Sequence, residues 1–215
     1  GQFEKMVAAG LEPNVVTYNT VIHAYAQTGD SKAALGQFEK MVAAGLEPTV
    51  VTYSTVIKAC AKAKDARCAV VTLARMEAAG VLPNAFTCSS FLGAVIAGAV
   101  PARQLPAVAA QAERLFRAVP LSDHNGYTYP PMITLLGRVG RREDALALFR
   151  QAAQRVSPWP NDHVIRAARS ACPASARAEI DSAAAVVRAA PPGLARGRRG
   201  GRGARHAGGR GRGRR

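Results

Sequence analysis

The stretch Val15–Thr49, VVTYNTVIHAYAQTGDSKAALGQFEKMVAAGLEPT, recurs directly downstream as Val50–Asn84, which opens VVTYSTVIKA and closes AAGVLPN. Gly1–Pro13 matches Gly36–Pro48 residue for residue, a displacement of 35 positions. A fixed period of this size constrains the fold more than any other feature of the chain. One such unit is a single supersecondary element that cannot bury its apolar face alone, so neighbouring copies must stack and complete the core.

Within Val15–Thr49, the residues Tyr18, Val21, Ile22 and Tyr25 fall at spacings of three, four and seven and share one face of a first helix. Thr17 is the expected N-cap, its hydroxyl accepting from an orphan backbone N–H of the first turn. Gly29 supplies a left-handed stop. Asp30 or Ser31 then caps a second helix whose stripe is Ala34, Leu35, Phe38, Met41 and Val42, and which Gly45, Leu46 and Pro48 end. Two helices of about a dozen residues and a connector fill the period and leave no room for strands. The predicted fold class is all-α, a solenoid of helical hairpins.

The words VTYNTVIHAY, ALGQFEKM and AGLEP, with their echoes VTYSTVIKAC and EAAGVLPN, resemble the pentatricopeptide repeat family. The resemblance is specific across Gly1–Asn84 and looser across Gly126–Asp162. A tetratricopeptide unit is about 34 residues long with a Trp, Leu-Gly and Tyr pattern in its first helix, which these copies lack. What the resemblance implies is a right-handed superhelix whose first helices line a groove for single-stranded RNA, one base per unit. Periodicity by itself gives only the solenoid.

The 215 residues begin at Gly1 without an initiator Met, and the chain is expected to be a fragment whose upstream repeats and any targeting peptide precede it. The longest apolar stretch, Phe91–Val100, is too short to span a bilayer, so no membrane partner is expected. Net charge is +15, and nine of the 29 basic residues stand in Gly193–Arg215, which holds no acid. The body is thus moderately basic and the tail extremely so, a balance that suits a polyanion. Cys60, Cys68, Cys88 and Cys172 form no C-x-x-C pair and no zinc-like cluster, and are expected to be buried free thiols in a reducing compartment.

Along the chain, residues 1–14 read as the last helix of a truncated unit, its face of Phe3, Met6 and Val7 covered by upstream repeats. Residues 15–49 and 50–84 are the two well-formed units; in the second, Lys64 replaces the helix-ending glycine. Residues 85–125 open like a third unit and then lose register, with Pro101 and Pro106 in an insertion between the helices. Residues 126–162 recover the pattern, with Gly140 aligned to Gly29, Pro130 and Pro131 in the first turn, and Trp159 packing over the end of the second helix. Residues 163–192 form capping helices, and 193–215 are an Arg/Gly-rich segment expected to be disordered.

No catalytic arrangement emerges. Acids are isolated or sit at a helix start, as Glu143 and Asp144 do. His23, His124, His163 and His206 lack Ser/Asp or Cys partners in any nucleophile pattern, and the tail glycines neither follow a strand nor precede a helix. Neither a metal nor a cofactor is expected, and the chain is read as a non-enzyme.

The binding residues follow from the resemblance. The fifth and last residues of each unit, counted from Val15, are implied to reach the base edge: Asn19 with Thr49, Ser54 with Asn84, and Ser89 with Asn125. Ser54 with Asn84 resembles the family pairing for adenine. Asn19 resembles a pyrimidine reader, although Thr49 stands where an acid or amide is usual. Asn14 is the last residue of a unit whose fifth residue lies upstream, and Pro130 cannot hydrogen-bond a base. Base reading needs short side chains offering a donor and an acceptor; the competing reading makes these residues caps and turn formers. Lys62 and Arg138 occupy the thirteenth place, where the family often carries a base facing phosphate, and Gln27 is their counterpart in the first unit. Lys58 shares a face with Lys62; the alternative for both is an ordinary solvated face.

The expected function is binding of single-stranded RNA, an organellar transcript in mitochondrion or chloroplast, by a monomer that affects its processing, stability or translation without catalysis. Protein partners in RNA processing are compatible with that reading. The arginine-rich tail adds phosphate contacts of little selectivity, or carries no selected role. The alternatives are a protein-interaction scaffold and the RNA-binding arm of a protein-only ribonuclease.

Overall fold

The computed structural model describes residues 9–155 and 162–189. Phe3, Met6, Val7, Trp159 and the Arg/Gly-rich tail lie outside the described residues. Among the described residues ten α-helices follow one another: α1 (Val15–Thr28), α2 (Ser31–Ala43), α3 (Val50–Lys62), α4 (Ala66–Ala78), α5 (Ala85–Ala97), α6 (Leu105–Ala118), α7 (Tyr129–Arg138), α8 (Arg142–Arg155), α9 (Asp162–Ala171) and α10 (Arg177–Ala189). Short 3-10 turns at Leu121–Asp123 and Ala174–Ala176 precede α7 and α10, and no strand occurs among the described residues.

The first helices begin earlier than a Thr17 cap requires. Asn14, in extended backbone at φ −98°, is the N-cap of α1, and its Oδ1 accepts from the Thr17 backbone N–H and hydroxyl, both at 3.0 Å. Thr17 is therefore the third helical residue, and its hydroxyl donates back to the cap. The pattern recurs: the Thr49 N–H donates to the Thr52 hydroxyl, Asn84 N–H to Thr87, and Asn125 N–H to Thr128. A cap followed by Thr three residues later thus starts α1, α3 and α5, whereas before α7 the Asn125–Thr128 pair lies ahead of the helix and Thr128 itself takes the cap position.

At the other end, Gly29 and Gly140 take left-handed backbone, φ 79° and 80°, where their hairpins turn. Lys64 does the same at φ 58°, the one non-glycine with positive φ among the described residues, at a cost on the order of 1–2 kcal/mol. Asp30 and Asp65 then cap α2 and α4 by accepting from the backbone N–H of Ala33 and Cys68, each at 2.9 Å.

The first helices α1, α3, α5, α7 and α9 pack side by side in one layer, and the second helices lie behind them against their own and the following hairpin. The close approach of that inner layer shows at Gly137 of α7, where an added Cβ would sit 2.5 Å from the Ala171 Cβ of α9. Tyr18 and Ile22 are buried as the stripe predicts, with Ala26 rather than Tyr25 continuing it, and Ala34, Phe38 and Met41 line the facing side of α2. Val42 is exposed. Pro101 lies in the loop before α6, while Pro106, Pro130 and Pro131 fall in first turns, where the missing donor costs little.

Adjacent second helices are bridged on the outer side by ion pairs. Arg75 of α4 holds both carboxylate oxygens of Glu39 on α2 while lying 4.7 Å over the Phe38 ring, and Arg150 of α8 holds Glu179 of α10 at 2.8 and 2.9 Å. The Arg75 guanidinium keeps the Glu39 carboxyl below its ordinary range. At this exposure such pairs set register more than stability.

The expectation of four free thiols is corrected. Cys60 near the end of α3 and Cys68 at the start of α4 form a disulfide, their Cα atoms 5.8 Å apart. A spacing of eight in sequence conceals the contact because the hairpin turn lies between them. Cys88 and Cys172 are free and buried, and burial pushes their thiols up to about 12 and about 11.

Candidate nucleic-acid interface

The layer of first helices presents an open face built from repeated positions. At the head of each of the first four hairpins an apolar side chain stands in solvent: Val16 (71% exposed), Val51 (57%), Phe86 (47%) and Tyr127 (77%). Scattered singly these would need no explanation. Standing at the same place before or within α1, α3, α5 and α7, they form a row. The sequence reading passed over them; the available signal was that each is the second residue of its unit and lies off the buried stripe.

Two turns further along the helices the face becomes basic. Lys58 and Lys62 of α3 lie on one side, as their spacing predicts, with the Lys58 Nζ 5.8 Å from the Phe86 ring centroid. The Lys62 ammonium donates to the backbone carbonyl of Gln27 in the last turn of α1, so it bridges two hairpins. Arg138 is exposed in the last turn of α7.

Between these rows lies a polar network. Asn84 caps α5: its Oδ1 accepts from the Thr87 N–H at 2.9 Å and from the Thr87 hydroxyl at 3.0 Å, and its own N–H donates to Thr87 Oγ1. Ser54 of α3 is buried, 3% exposed, with its hydroxyl 2.7 Å from Thr87 Oγ1. Thr87 has a single hydroxyl hydrogen, which goes to Asn84, so Ser54 is the donor in the Ser54–Thr87 bond. The fifth and last residues of the second unit are thereby joined through Thr87. What remains is directional: Asn84 Oδ1 is saturated, its NH₂ is left to donate, and Ser54 retains only acceptor capacity.

The other paired positions are placed differently. Asn19 is half-buried and its Oδ1 has no hydrogen-bond partner although no solvent reaches it, while Thr49 is exposed as the cap of α3. Ser89 donates to the Phe86 carbonyl at 3.1 Å, and Asn125 Oδ1 accepts from the Tyr127 N–H at 2.8 Å. Ser89 and Asn125 face one another across a cleft of about 630 Å³, whose walls include Phe86, Ser90, Tyr127 and Pro131. This cleft opens where the third unit's longer connection sets α7 apart from α5.

Nothing among the described residues gathers three or more His, Cys, Asp or Glu side chains about a metal-sized space. His23 pairs with Gln27 at 2.8 Å on the open face. His124 is buried against Phe116 with ring centroids 4.0 Å apart, and burial lowers its pKa. It lines a cavity of about 450 Å³ on the outer side, whose rim is closed by Arg141 paired with both Glu113 and Asp144.

Stacked helical hairpins with one open, periodically decorated face define an α-solenoid repeat protein. The family model of the pentatricopeptide repeat domain matches residues 3–63 and 38–97 of the chain. In fold it is similar to the crystal structure of the pentatricopeptide repeat protein PPR10 from maize, with TM-score 0.60 and 24% identity over 89% of this chain and 27% of that one. It is equally similar to PPR10 in complex with an 18-nt psaJ RNA element, TM-score 0.60 and 23% identity over 86% of this chain and 25% of that one. The chain thus spans about a quarter of the length of those structures. No curated protein matches it.

Proposed function

We propose that the open face of the first helices binds single-stranded RNA, one base for each hairpin, and that the chain acts on organellar transcripts by occupying them rather than by catalysis. The carrying observation is the row of apolar heads at the first four hairpins, beside short polar side chains near the starts of α1, α3 and α5 and a polar or basic group near the ends of α1, α3 and α7. Those three chemistries match the three parts of a nucleotide. Apolar side chains in a row leave slots for the flat faces of unpaired bases, short amides and hydroxyls meet base edges, and Lys58, Lys62 and Arg138 lie where a backbone crossing the face would place phosphates.

In this reading Asn84 donates its NH₂ to a ring-nitrogen acceptor while Ser54 serves both as its anchor and as an acceptor, an arrangement that suits adenine. Ser89 and Asn125 read the base held between Phe86 and Tyr127. Asn19 and Thr49 read the one before Ser54 and Asn84. Arginines of the tail add a salt-sensitive contribution without selectivity.

The test is equilibrium binding of the full chain to short single-stranded RNAs. Phe86→Ala combined with Tyr127→Ala removes a stacking pair, and at about 1–3 kcal/mol per base should weaken binding by roughly 5- to 150-fold while the salt slope stays unchanged. Equal binding by the variant, or equal binding of duplex RNA, would show that charge alone holds the nucleic acid; a groove indifferent to RNA but saturated by a peptide would make it a protein scaffold.

A further inference from the structure

The second hairpin departs from its neighbours twice in the same place. Its turn carries Lys64 in left-handed backbone where Gly29 and Gly140 stand in the others. Cys60 and Cys68, each four residues from Lys64, are bonded across that turn, whereas the aligned residues of the first hairpin are Tyr25 and Ala33. Both cysteines belong to the turn's own backbone frame. The Cys60 carbonyl accepts from the Asp65 N–H at 2.8 Å, and the Cys68 N–H donates to the Asp65 side chain at 2.9 Å. A residue unsuited to left-handed backbone thus sits inside a covalent ring that restricts its alternatives.

We propose that Cys60–Cys68 is a reversible thiol–disulfide modification site, through which a low-molecular-weight thiol couple such as glutathione sets the rigidity of the α3–α4 turn and, with it, the position of Lys62. Cys68 is half-buried and Cys60 fully buried, so exchange starts at Cys68. A glutathione thiolate attacks the Cys68 sulfur, the S–S bond breaks, and its electron pair leaves with the Cys60 sulfur, which takes a proton from water. A second glutathione attacks the mixed disulfide, forming oxidised glutathione and releasing Cys68 as a thiolate that is protonated in turn. Two thiols are oxidised and one protein disulfide is reduced; oxidised glutathione drives the reverse.

The coupling to the groove is short. Lys62 lies two residues beyond Cys60 and meets the first hairpin through its bond to the Gln27 carbonyl and the packing of its stem beside Gly29. When the ring is open, Lys64 is free to leave left-handed backbone and the last turn of α3 frays, carrying Lys62 with it. The remaining cysteines, Cys88 and Cys172, are buried within their own surroundings and take no part.

The experiment uses the full chain equilibrated in buffers of varied reduced-to-oxidised glutathione ratio, read by N-ethylmaleimide labelling and amide hydrogen exchange. Expected on reduction are paired labelling of Cys60 and Cys68, with Cys88 and Cys172 protected. Exchange should speed up by on the order of 10- to 100-fold across 61–69, the loop-closure effect of so short a ring, and not in α1 or α7. Cys68→Ser should show the fast exchange in both buffers. Lys64→Gly in the reduced chain should recover several-fold of the lost protection. Labelling of both cysteines in oxidised buffer, or identical exchange across 61–69 at both extremes, overturns the site; a reduced Lys64→Gly chain that frays as much as the parent overturns the role given to the turn. None of these readouts depends on what the groove binds.

Discussion

Thr87 holds three hydrogen bonds with no surface exposed, and its replacement by Val, nearly the same shape, isolates what the hydroxyl contributes. Two of those bonds go to Asn84, which is exposed and can turn to water when they are lost. The third comes from Ser54, which is buried, so water does not replace the lost acceptor. At about 1 kcal/mol net per hydrogen bond, with an added 1–3 kcal/mol for an orphaned buried hydroxyl, Thr87→Val should cost roughly 2–4 kcal/mol. Ser54→Ala alone leaves Thr87 satisfied by Asn84 and should cost about 1 kcal/mol. In the double variant no orphan remains, so its cost should fall short of the sum by about 1 kcal/mol or more, a coupling readable by a double-mutant cycle. Urea unfolding with an unchanged denaturant slope is the assay. A Thr87→Val cost below about 0.5 kcal/mol, or strict additivity, would refute the inference that Ser54 is the donor and that Thr87 ties the two positions together.

Two further outcomes rest on packing and titration. Gly137→Ala places a Cβ 2.5 Å from the Ala171 Cβ and 2.6 Å from its Cα, and should destabilise by about 1–3 kcal/mol, seen as a lower Tm with exchange rising first in α7 and α9. His124 is buried and its folded pKa lies below the ordinary value near 6.5 because burial disfavours the charged form. Stability from this site is therefore intact above that value and lost as pH falls through it toward the folded pKa. His124→Phe should flatten stability in that interval, and an unchanged pH profile would contradict the assignment.

The hairpin architecture was legible because the repeat period, the stripe through Tyr18 and Ile22, and the turn residue Gly29 all report the same helix pair. The site was legible only in part. Asn14 and Asn84 read equally well as caps and as base readers, and the structure shows that capping uses the carbonyl oxygen alone, so capping by itself leaves the amide hydrogens available. Ser54 looked like its counterpart Asn19, yet its burial depends on Thr87, a residue 33 positions away that no local pattern connects to it. The row from Val16 to Tyr127 was passed over because an exposed valine or aromatic is invisible to a periodicity that seeks the buried face. Cys60 and Cys68 carried no recognisable spacing, since the turn at Lys64, not the sequence interval, brings them together.

The most direct test of base reading is the affinity of the full chain and of Asn84→Asp for single-stranded RNAs that differ only at the base facing the second hairpin, measured across salt concentrations. Asp caps a helix as well as Asn, so α5 keeps its start and its bonds to Thr87, while the one group left to donate to a base becomes an acceptor. The account predicts that the parent prefers adenine, that the variant moves toward guanine by roughly tenfold or more, about the 1–3 kcal/mol of a direct base contact, and that the salt slope does not change because no phosphate contact is lost. Affinity that ignores the base in both proteins and falls away with salt would contradict it.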